Sequence, residues 1–352
     1  MSRWSSTNRA LTLIIAMALG ATSSRADVTP PEPDASEAPL RDPSMLVRLI
    51  RSEAVKDDLA LKSEQGKDVD ALVADVEYPL FQLRDLPPKE KRDRINALAD
   101  KIDASLKHIL TPEQTQRLFE IGFRAHGWPA LLAPEPAKAL NLSAEQTADL
   151  RRILDEMAKS KANSIAPFEE RILALLKPAQ KTELTRLSGA PFDFSKVPQV
   201  ASRAPELRDV TDWINCEPVT LAGLRGRVVA VHFFAFGCSN CVNNQPHYQA
   251  WHKDFADKKV TILGIHTPET KREREVANLA ADVRARKIAY AVAVDNKSSN
   301  WAAWANHVWP SVYLIDKRGY VRYWWYGELN WNGAEGEQFM RKRIEELLAE
   351  AE

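Results

Sequence analysis

The stretch that decides the fold is Val228-Val229-Ala230-Val231-His232-Phe233-Phe234-Ala235-Phe236-Gly237-Cys238-Ser239-Asn240-Cys241. Its apolar run predicts a buried strand over 228–234, and the residues after it predict a turn into a helix over 241–255. The start of a helix has unpaired N–H groups and a positive dipole, which favour a thiolate at Cys238. Cys241 follows one turn later on the same face, so it can attack a mixed disulfide formed at Cys238.

Length and composition set broad limits on the chain. Its 352 residues suggest about two domains. Lysine plus arginine and aspartate plus glutamate both number 48, so the net charge gives no sign of a nucleic acid or an anionic membrane as a partner. The chain has 3 cysteines, too few for a disulfide scaffold, which favours a reactive Cys238–Cys241 pair over a structural one.

The first residues have the pattern of a secretory signal. Arg3 and Arg9 precede the apolar run 11–19, and Ser24-Arg25-Ala26 offers small residues around a cleavage site. The run is shorter than the ~20 residues that a membrane span needs, which argues against an uncleaved anchor. We therefore expect a signal peptide at 1–26, a flexible leader at 27–43, and a secreted protein that is soluble in the periplasm or elsewhere outside the cytoplasm.

Apolar residues recur at spacings of three and four from about residue 44, which predicts an all-α helical domain over 44–195. Three helix starts repeat within it: Leu110-Thr111-Pro112-Glu113-Gln114, Leu142-Ser143-Ala144-Glu145-Gln146 and Leu176-Lys177-Pro178-Ala179-Gln180. Repeated helix starts with good capping explain this pattern. The alternative is a resemblance to the LTxxQ-type helical proteins of bacterial envelopes, from which the third copy departs because Lys177 replaces the hydroxyl residue.

A linker at 196–204 precedes a second domain in which strands and helices alternate. The predicted elements are strands at 228–234, 260–265, 288–294, 312–315 and 320–326, and helices at 241–255, 272–284, 301–307 and 337–348. A βαβ unit followed by a hairpin and a terminal helix predicts an α/β fold with a mixed sheet covered on both faces.

Ordered pieces of sequence surround the cysteine pair: Trp213-Ile214-Asn215, 221–229, 238–241, Gly264-Ile265-His266-Thr267-Pro268-Glu269, 309–316 and Tyr326-Gly327-Glu328. Together they resemble the thioredoxin-like superfamily. More narrowly, they resemble its TlpA-like or redoxin branch and the C-terminal domain of DipZ-type thiol–disulfide interchange proteins. The resemblance implies a thioredoxin-like domain over 205–352, with Pro310 as a cis-proline facing the cysteines and Trp309 as the residue whose backbone pairs with a substrate peptide.

Two residues depart from the pattern of these proteins. Gly237 replaces the aromatic residue that usually precedes the first cysteine, so we expect Cys238 to be less shielded, and we assign Gly237 to substrate binding with Trp309 and Pro310. His232 replaces a buried carboxylate of the central strand. It is either a buried, hydrogen-bonded histidine or a catalytic proton acceptor for Cys241.

The remaining candidates have ordinary explanations. Cys216 is expected to be a free, partly buried thiol, with a regulatory or intermolecular disulfide as the alternative. His266 is expected to be structural. A metal site at Cys238, Cys241, His232 and His266 is disfavoured, because structural zinc usually needs two pairs of ligands. We expect neither a metal nor another cofactor.

The leading hypothesis is an extracytoplasmic thiol–disulfide oxidoreductase that uses a redox disulfide between Cys238 and Cys241. Its expected partners are proteins with disulfides and a redox partner that donates or accepts electrons, which could be membrane-bound. A thiol peroxidase is one alternative, although Val231 and Ala235 stand where peroxiredoxins carry proline and threonine. A non-catalytic envelope binding or scaffold protein is another.

Overall fold

The structure is a computed structural model that describes residues 42–160, 164–198 and 202–351. The predicted signal peptide and nearly all of the predicted leader lie outside these residues. The described residues form two compact units that divide between residues 198 and 202. The predicted domain bounds, 44–195 and 205–352 with a linker between them, stay predictions. Within the described ranges, no helix combines the length and apolar character that crossing a bilayer requires.

The first unit is helical, which confirms the predicted fold class for this part of the chain. Its apolar side chains form two clusters, one around Val76 and Ile102 and the other around Leu131 and Ile172. Its helices are α1 Pro43–Ile50, α2 Glu53–Asp58, α3 Ser63–Gln82, α4 Pro88–Ile109, α5 Pro112–His126, α6 Pro134–Ala139, α7 Ala144–Lys159, α8 Ala166–Leu175 and α9 Pro178–Ser188.

The repeated motifs lie at helix starts, as expected. The Thr111 hydroxyl accepts the Gln114 N–H at 3.3 Å, and the Gln114 side chain accepts the Thr111 N–H at 2.9 Å. Ser143 and Gln146 make the same reciprocal pair at the start of α7. Each pair satisfies helix N–H groups that would otherwise lack partners.

A fourth copy, not among the three predicted from the sequence, is Leu61-Lys62-Ser63-Glu64-Gln65 at the start of α3. The four glutamines bind each other in two pairs. Gln65 Nε2 donates to Gln114 Oε1 at 2.8 Å, and Gln146 Nε2 donates to Gln180 Oε1 at 2.8 Å. The glutamine pairs therefore join the start of α3 to the start of α5, and the start of α7 to the start of α9.

The second unit is built on a seven-stranded sheet in the order β1-β7-β6-β3-β4-β5-β2. The long central strand β3 is parallel to β4 and antiparallel to β6, so the sheet is mixed as predicted. The strands are β1 Ser202–Arg203, β2 Trp213–Ile214, β3 Val228–Phe234, β4 Val260–His266, β5 Ala291–Val294, β6 Ser311–Ile315 and β7 Tyr320–Tyr326. The helices are α10 Ser239–Asp254, α11 Val276–Ala285, α12 Ser299–Ala303 and α13 Gly336–Ala349.

Every residue of β3 is buried. Alternate residues of a strand point to opposite faces, so Ala230 and Phe234 share one face. They belong to one apolar cluster with Trp251 of α10 and Ile344 of α13. A strand buried on both faces explains the continuous apolar run in its sequence.

Two predicted helices differ from the observed ones. The helix predicted over 272–284 is a short 3₁₀ turn, Arg272–Arg274, followed by α11, because Glu275 is extended with φ −76° and ψ 108°. The helix predicted over 301–307 ends at Ala303, and Ala305 has a positive φ of 48°. The short strands β1 and β2 were not predicted.

Candidate active site

Cys238 is the N-cap residue of α10. Its sulfur accepts the backbone N–H of Cys241 at 3.3 Å, and its side chain is partly exposed. An N-cap acceptor satisfies one of the unpaired donors of the first helical turn, and a negatively charged sulfur does so better than a neutral one. The position therefore combines access from solvent with stabilisation of a thiolate.

Cys241 is buried one turn into α10. Its Sγ lies 2.6 Å from Cys238 Sγ, and its thiol donates to that sulfur. The hydrogen bond from Cys241, helped by backbone N–H groups and opposed by burial, lowers the pKa of Cys238. Burial, together with the neighbouring Cys238, raises the pKa of Cys241. The two thiols thus have opposite character, one suited to attack and the other protonated at rest.

The peptide bond between Trp309 and Pro310 is cis. The next residue, Ser311, pairs with Phe233 near the end of β3. Pro310 therefore lies at the end of the sheet where β3 finishes and the chain continues to Cys238. The Trp309 ring stacks on Trp301 with centroids 3.8 Å apart and an angle of 22° between the planes. The Pro310 carbonyl accepts the Gly327 N–H at 2.8 Å.

Gly237 is exposed, yet its backbone is held by a residue that the sequence analysis did not single out. Its N–H donates to Glu273 Oε1 at 2.7 Å. A Cβ at position 237 would lie 2.7 Å from the same oxygen, closer than a carbon and an oxygen can approach. The space left by the missing aromatic residue is therefore partly filled by a carboxylate.

His232 is buried, and burial lowers its pKa to about 3. Its ring stacks on Tyr248 with centroids 4.1 Å apart. Neither ring nitrogen has a hydrogen-bond partner among the described residues. The expected burial is observed, no described residue supplies the expected hydrogen bond, and the role of His232 as proton acceptor stays a prediction.

Gly264 makes room for this ring. It is opposite His232 in the β3–β4 register, and a Cβ there would lie 3.0 Å from His232 Nε2 and 3.1 Å from Phe234 Cε1. The His232 ring thus occupies the space that a side chain on the neighbouring strand would need.

The comparisons with known proteins concern the second unit. Residues 200–324 match the AhpC/TSA family. Protein DipZ of Mycobacterium tuberculosis is 34% identical over 160 residues, which are 45% of this chain and 22% of DipZ. Thiol-disulfide oxidoreductase YkuV of Bacillus subtilis is 25% identical over 149 residues, which are 42% of this chain and 95% of YkuV. The second unit is a thioredoxin-like domain of the AhpC/TSA family.

A solved structure of a thioredoxin-like superfamily protein is 31% identical, covers 42% of this chain and 97% of that one, and has a TM-score of 0.38. The chain spans less than a quarter of the length of the DipZ proteins that it matches. The likeness to DipZ and YkuV supports a general thiol–disulfide redox role for the thioredoxin-like domain.

The other predicted candidates of the thioredoxin-like domain lie outside the cysteine pair. His266 is fully buried against Phe236, and burial, opposed by nearby Glu273, lowers its pKa to about 4. Cys216 is a free, partly exposed thiol whose pKa is raised by burial and by Glu217. Across the described ranges, no three histidine, cysteine or acidic side chains come together as a metal-binding group.

Glu273 could not be found from sequence alone. It lies in the charged run Lys271-Arg272-Glu273-Arg274-Glu275, which has the pattern of a solvated segment. Its partner Gly237 is 36 residues away along the chain. The one available signal in the sequence was the unusual Gly237. It indicates that the aromatic side chain is missing, but it does not indicate which residue fills the space.

Proposed function

We propose that this chain is an extracytoplasmic protein thiol–disulfide oxidoreductase that uses the Cys-Ser-Asn-Cys pair. The observation that carries the proposal is the N-cap position of Cys238, where a partly exposed sulfur accepts the N–H of Cys241. The buried Cys241 thiol is hydrogen-bonded to the same sulfur. This arrangement supports both an entering nucleophile and a resolving thiol.

In the first step the Cys238 thiolate attacks one sulfur of a disulfide in a substrate protein. The substrate S–S bond breaks, a mixed disulfide forms at Cys238, and the released substrate sulfur takes up a proton. The substrate segment is proposed to pair with the Trp309 backbone beside Pro310, as an added strand. Gly237 lies at the exposed turn next to this edge.

In the second step Cys241 loses its proton and attacks the Cys238 sulfur. The mixed disulfide breaks, the substrate leaves with both of its thiols, and Cys238 and Cys241 are joined by a disulfide. Two electrons pass from the pair to the substrate. A dithiol protein must return them before the next cycle, and this redox partner could be membrane-bound. Resemblance favours the reducing direction over the oxidising one.

His232 is the proposed acceptor of the Cys241 proton. A neutral imidazole has a free lone pair, and burial keeps His232 neutral at physiological pH. The same low pKa makes His232 a weak base toward a thiol, so the assignment rests on the free lone pair alone. If His232→Ala leaves both the rate and the pH profile of disulfide reduction unchanged, this assignment is wrong.

The proposed location outside the cytoplasm rests on residues 1–26, with their early arginines, apolar run and small residues before a cleavage site. An extracytoplasmic compartment is where protein disulfides persist and a reductant for them has substrates. Expression of the full chain with a carboxy-terminal tag, followed by fractionation and amino-terminal sequencing, tests this part. A tagged protein that keeps its first residues in the cytoplasm contradicts it.

One pair of assays tests the activity. We expect the wild type to accelerate insulin-disulfide reduction by dithiothreitol, Cys238→Ser to abolish the acceleration, and Cys216→Ser to preserve it as the matched control. Cys241→Ser is expected to accumulate a mixed disulfide with the substrate. Peroxide consumption lost in Cys238→Ser would indicate a thiol peroxidase, and no turnover of either kind would indicate a binding or scaffold protein.

A further inference from the structure

Glu273 has an unusual set of partners for a carboxylate near a thiol pair. The residue is only 3% exposed. One oxygen, Oε1, accepts the Gly237 N–H at 2.7 Å. The other, Oε2, accepts the N–H groups of Glu269 and Thr270, each at 2.8 Å, and the Thr270 hydroxyl at 3.1 Å. Both oxygens therefore accept hydrogen bonds, and the donors come from two different segments.

These two segments leave the sheet side by side. Strands β3 and β4 are parallel neighbours, and Thr267 donates its N–H to the Phe234 carbonyl at 3.0 Å where they end. The chain after β3 runs to the cysteines, and the chain after β4 contains Glu269, Thr270 and Glu273. The carboxylate of Glu273 ties the turn before Cys238 to the loop after β4.

The same contact explains why position 237 is glycine. Gly237 does not have a positive φ, so its backbone conformation does not require glycine. The constraint is steric, because a Cβ would lie 2.7 Å from Glu273 Oε1 and the carboxylate could move away only by giving up its hydrogen bond to Gly237. Gly237 and Glu273 therefore act as a matched pair. The absence of a side chain at Gly237 leaves space for the carboxylate, and the carboxylate accepts the Gly237 N–H.

The charge of Glu273 is retained although it is buried. Burial opposes ionisation, but the N–H groups of Gly237, Thr270 and Glu269 outweigh it and lower the pKa of Glu273. A hydrogen bond from an amide to a charged acceptor is worth about twice a neutral one. The tie is thus a strong one, and it places a buried negative charge against the residue before the attacking sulfur.

We propose, resting on the proposed function, that Glu273 is a positioning residue for thiol–disulfide exchange. It fixes the Gly237 amide and so holds the approach to Cys238 while the sulfur changes between thiolate, mixed disulfide and disulfide. Because its negative charge disfavours a nearby thiolate, it also shifts the balance of the Cys238–Cys241 pair toward the disulfide. Glu269, an exposed acidic side chain of the same loop, also opposes ionisation of both cysteines.

The test is a double-mutant cycle in the full chain carrying Cys216→Ser. The variants are Gly237→Ala, Glu273→Ala and both together, with Glu273→Gln as a milder change that can still accept the Gly237 N–H. The readout is the equilibrium constant of the Cys238–Cys241 disulfide with glutathione, with the free energy of unfolding measured alongside. Glu345→Gln, an exposed carboxylate on α13, is the matched control.

We expect Glu273→Ala to shift the equilibrium constant about tenfold toward the dithiol, because the negative charge that disfavours the thiolate is gone. Gly237→Ala should shift it in the same direction, because the added Cβ displaces the carboxylate. The double variant should match Glu273→Ala alone, because the added Cβ then meets no carboxylate. Glu273→Gln should shift the constant less, and Glu345→Gln should not shift it.

Three results would overturn the proposal: additive effects of the two substitutions, an unchanged equilibrium constant, or a shift toward the disulfide. A lower free energy of unfolding in the variants would not rescue it. Should Glu273→Ala fail to fold, Gly237→Ala and Glu273→Gln still decide between these outcomes. The glutathione equilibrium needs no turnover of a protein substrate. A wild type that does not reduce insulin would therefore contradict the proposed function and leave the test of Glu273 intact.

Discussion

The two thiols of the pair differ because one caps a helix and the other is buried within it. This difference predicts the order in which the three cysteines react. At neutral pH, iodoacetamide should modify Cys238 first, because its pKa is lowered and its sulfur is accessible. Cys216 is the internal control, since it is also partly exposed but its pKa is raised. Mass spectrometry of the reduced, labelled protein measures all three rates.

Cys241 should react only after denaturation, because burial both hides its sulfur and raises its pKa. Modification of Cys216 before Cys238 would show that the N-cap position does not activate the sulfur. Equal rates for all three would lead to the same conclusion.

His232 makes a second prediction at this scale, which concerns pH and stability. Its pKa is about 3 in the folded chain and ordinarily about 6.5, so between these values the unfolded chain binds a proton that the folded chain does not. The free energy of unfolding should therefore fall as the pH drops from about 6.5 toward 3, by about 1.4 kcal/mol per pH unit from this group. His232→Phe, which keeps an aromatic ring against Tyr248, should remove that part of the slope.

Urea denaturation followed by tryptophan fluorescence at several pH values measures the slope. His307→Phe, at an exposed position, controls for the change from histidine to phenylalanine itself. An unchanged slope in His232→Phe would mean that this imidazole is protonated in the folded chain.

The sequence predicts residues whose role depends on nearby chain, and it misses those whose role depends on distant chain. Cys238 and Cys241 could be assigned because a strand, a turn and a helix start are local patterns. The reason for Gly237 could not be found, because the carboxylate that requires it comes from a separate loop. The surroundings of His232 likewise depend on distant residues, among them Tyr248 of α10 and Tyr290 just before β5.

At the scale of elements, the fit between β3 and β4 depends on Gly264. We expect Gly264→Ala to lower the free energy of unfolding of the thioredoxin-like domain by about 1–3 kcal/mol, because the new methyl group meets His232 and Phe234. In a chain that already carries His232→Ala, Gly264→Ala should lower the free energy of unfolding by less, since the His232 ring no longer meets the new methyl group. Chemical denaturation of the four proteins measures the difference.

A control for this prediction is Gly122 in α5, where a Cβ would meet no atom of the described residues within 4 Å outside the backbone of its own helix. Gly122→Ala should be neutral or stabilise its helix by about 0.5–1 kcal/mol, because alanine loses less conformational freedom than glycine. Equal destabilisation by Gly264→Ala with and without His232 would contradict the steric explanation.

The glutamine pairs make a prediction for the helical unit. Gln180 is buried, and its Nε2 donates to the Leu140 carbonyl at 3.0 Å as well as to Gln146. Gln180→Leu leaves these acceptors, and the Lys177 N–H, without their partner. We expect a loss of about 1–3 kcal/mol in the free energy of unfolding, the cost of unpaired buried polar groups.

Gln116 is the matched control, because it is an exposed glutamine on α5 whose Nε2 donates to Glu120 Oε1 at 3.2 Å. Gln116→Leu should change stability by less than about 0.5 kcal/mol. Circular dichroism at 222 nm during urea denaturation follows the helices in both variants. Similar losses in the two variants would show that the pairing of helix starts contributes no stability.

Element ends were predicted well where periodicity is strong. The bounds of β3 and β7 coincide with the predicted 228–234 and 320–326, because apolar or aromatic runs with turn residues at both ends define them. The break at Glu275 was missed, because Lys271 to Glu275 is uniformly charged and has no period to interrupt. The pairing of the glutamines also needed coordinates, since sequence repeats do not show which copies meet.

At the scale of the whole molecule, the described chain has one helical unit and one thioredoxin-like domain, each with its own apolar clusters. The change of period from helical to alternating near residue 200 was enough to predict both classes of structure. Every residue of the proposed reaction, from His232 to Pro310, belongs to the thioredoxin-like domain. The sequence motif of the helical unit describes how its helices begin, which explains why it says little about what that unit binds.

The capping role of Cys238 has one more consequence, which concerns measurement. The sulfur that accepts the Cys241 N–H is also the sulfur that is consumed in the proposed exchange. A divalent sulfur in a disulfide is a much weaker acceptor than a thiolate, so oxidation should withdraw the cap without moving any element. In a nitrogen-15 labelled sample, the amide resonance of Cys241 would then serve as a built-in redox indicator, and its solvent exchange would report the state of the pair without any added dye.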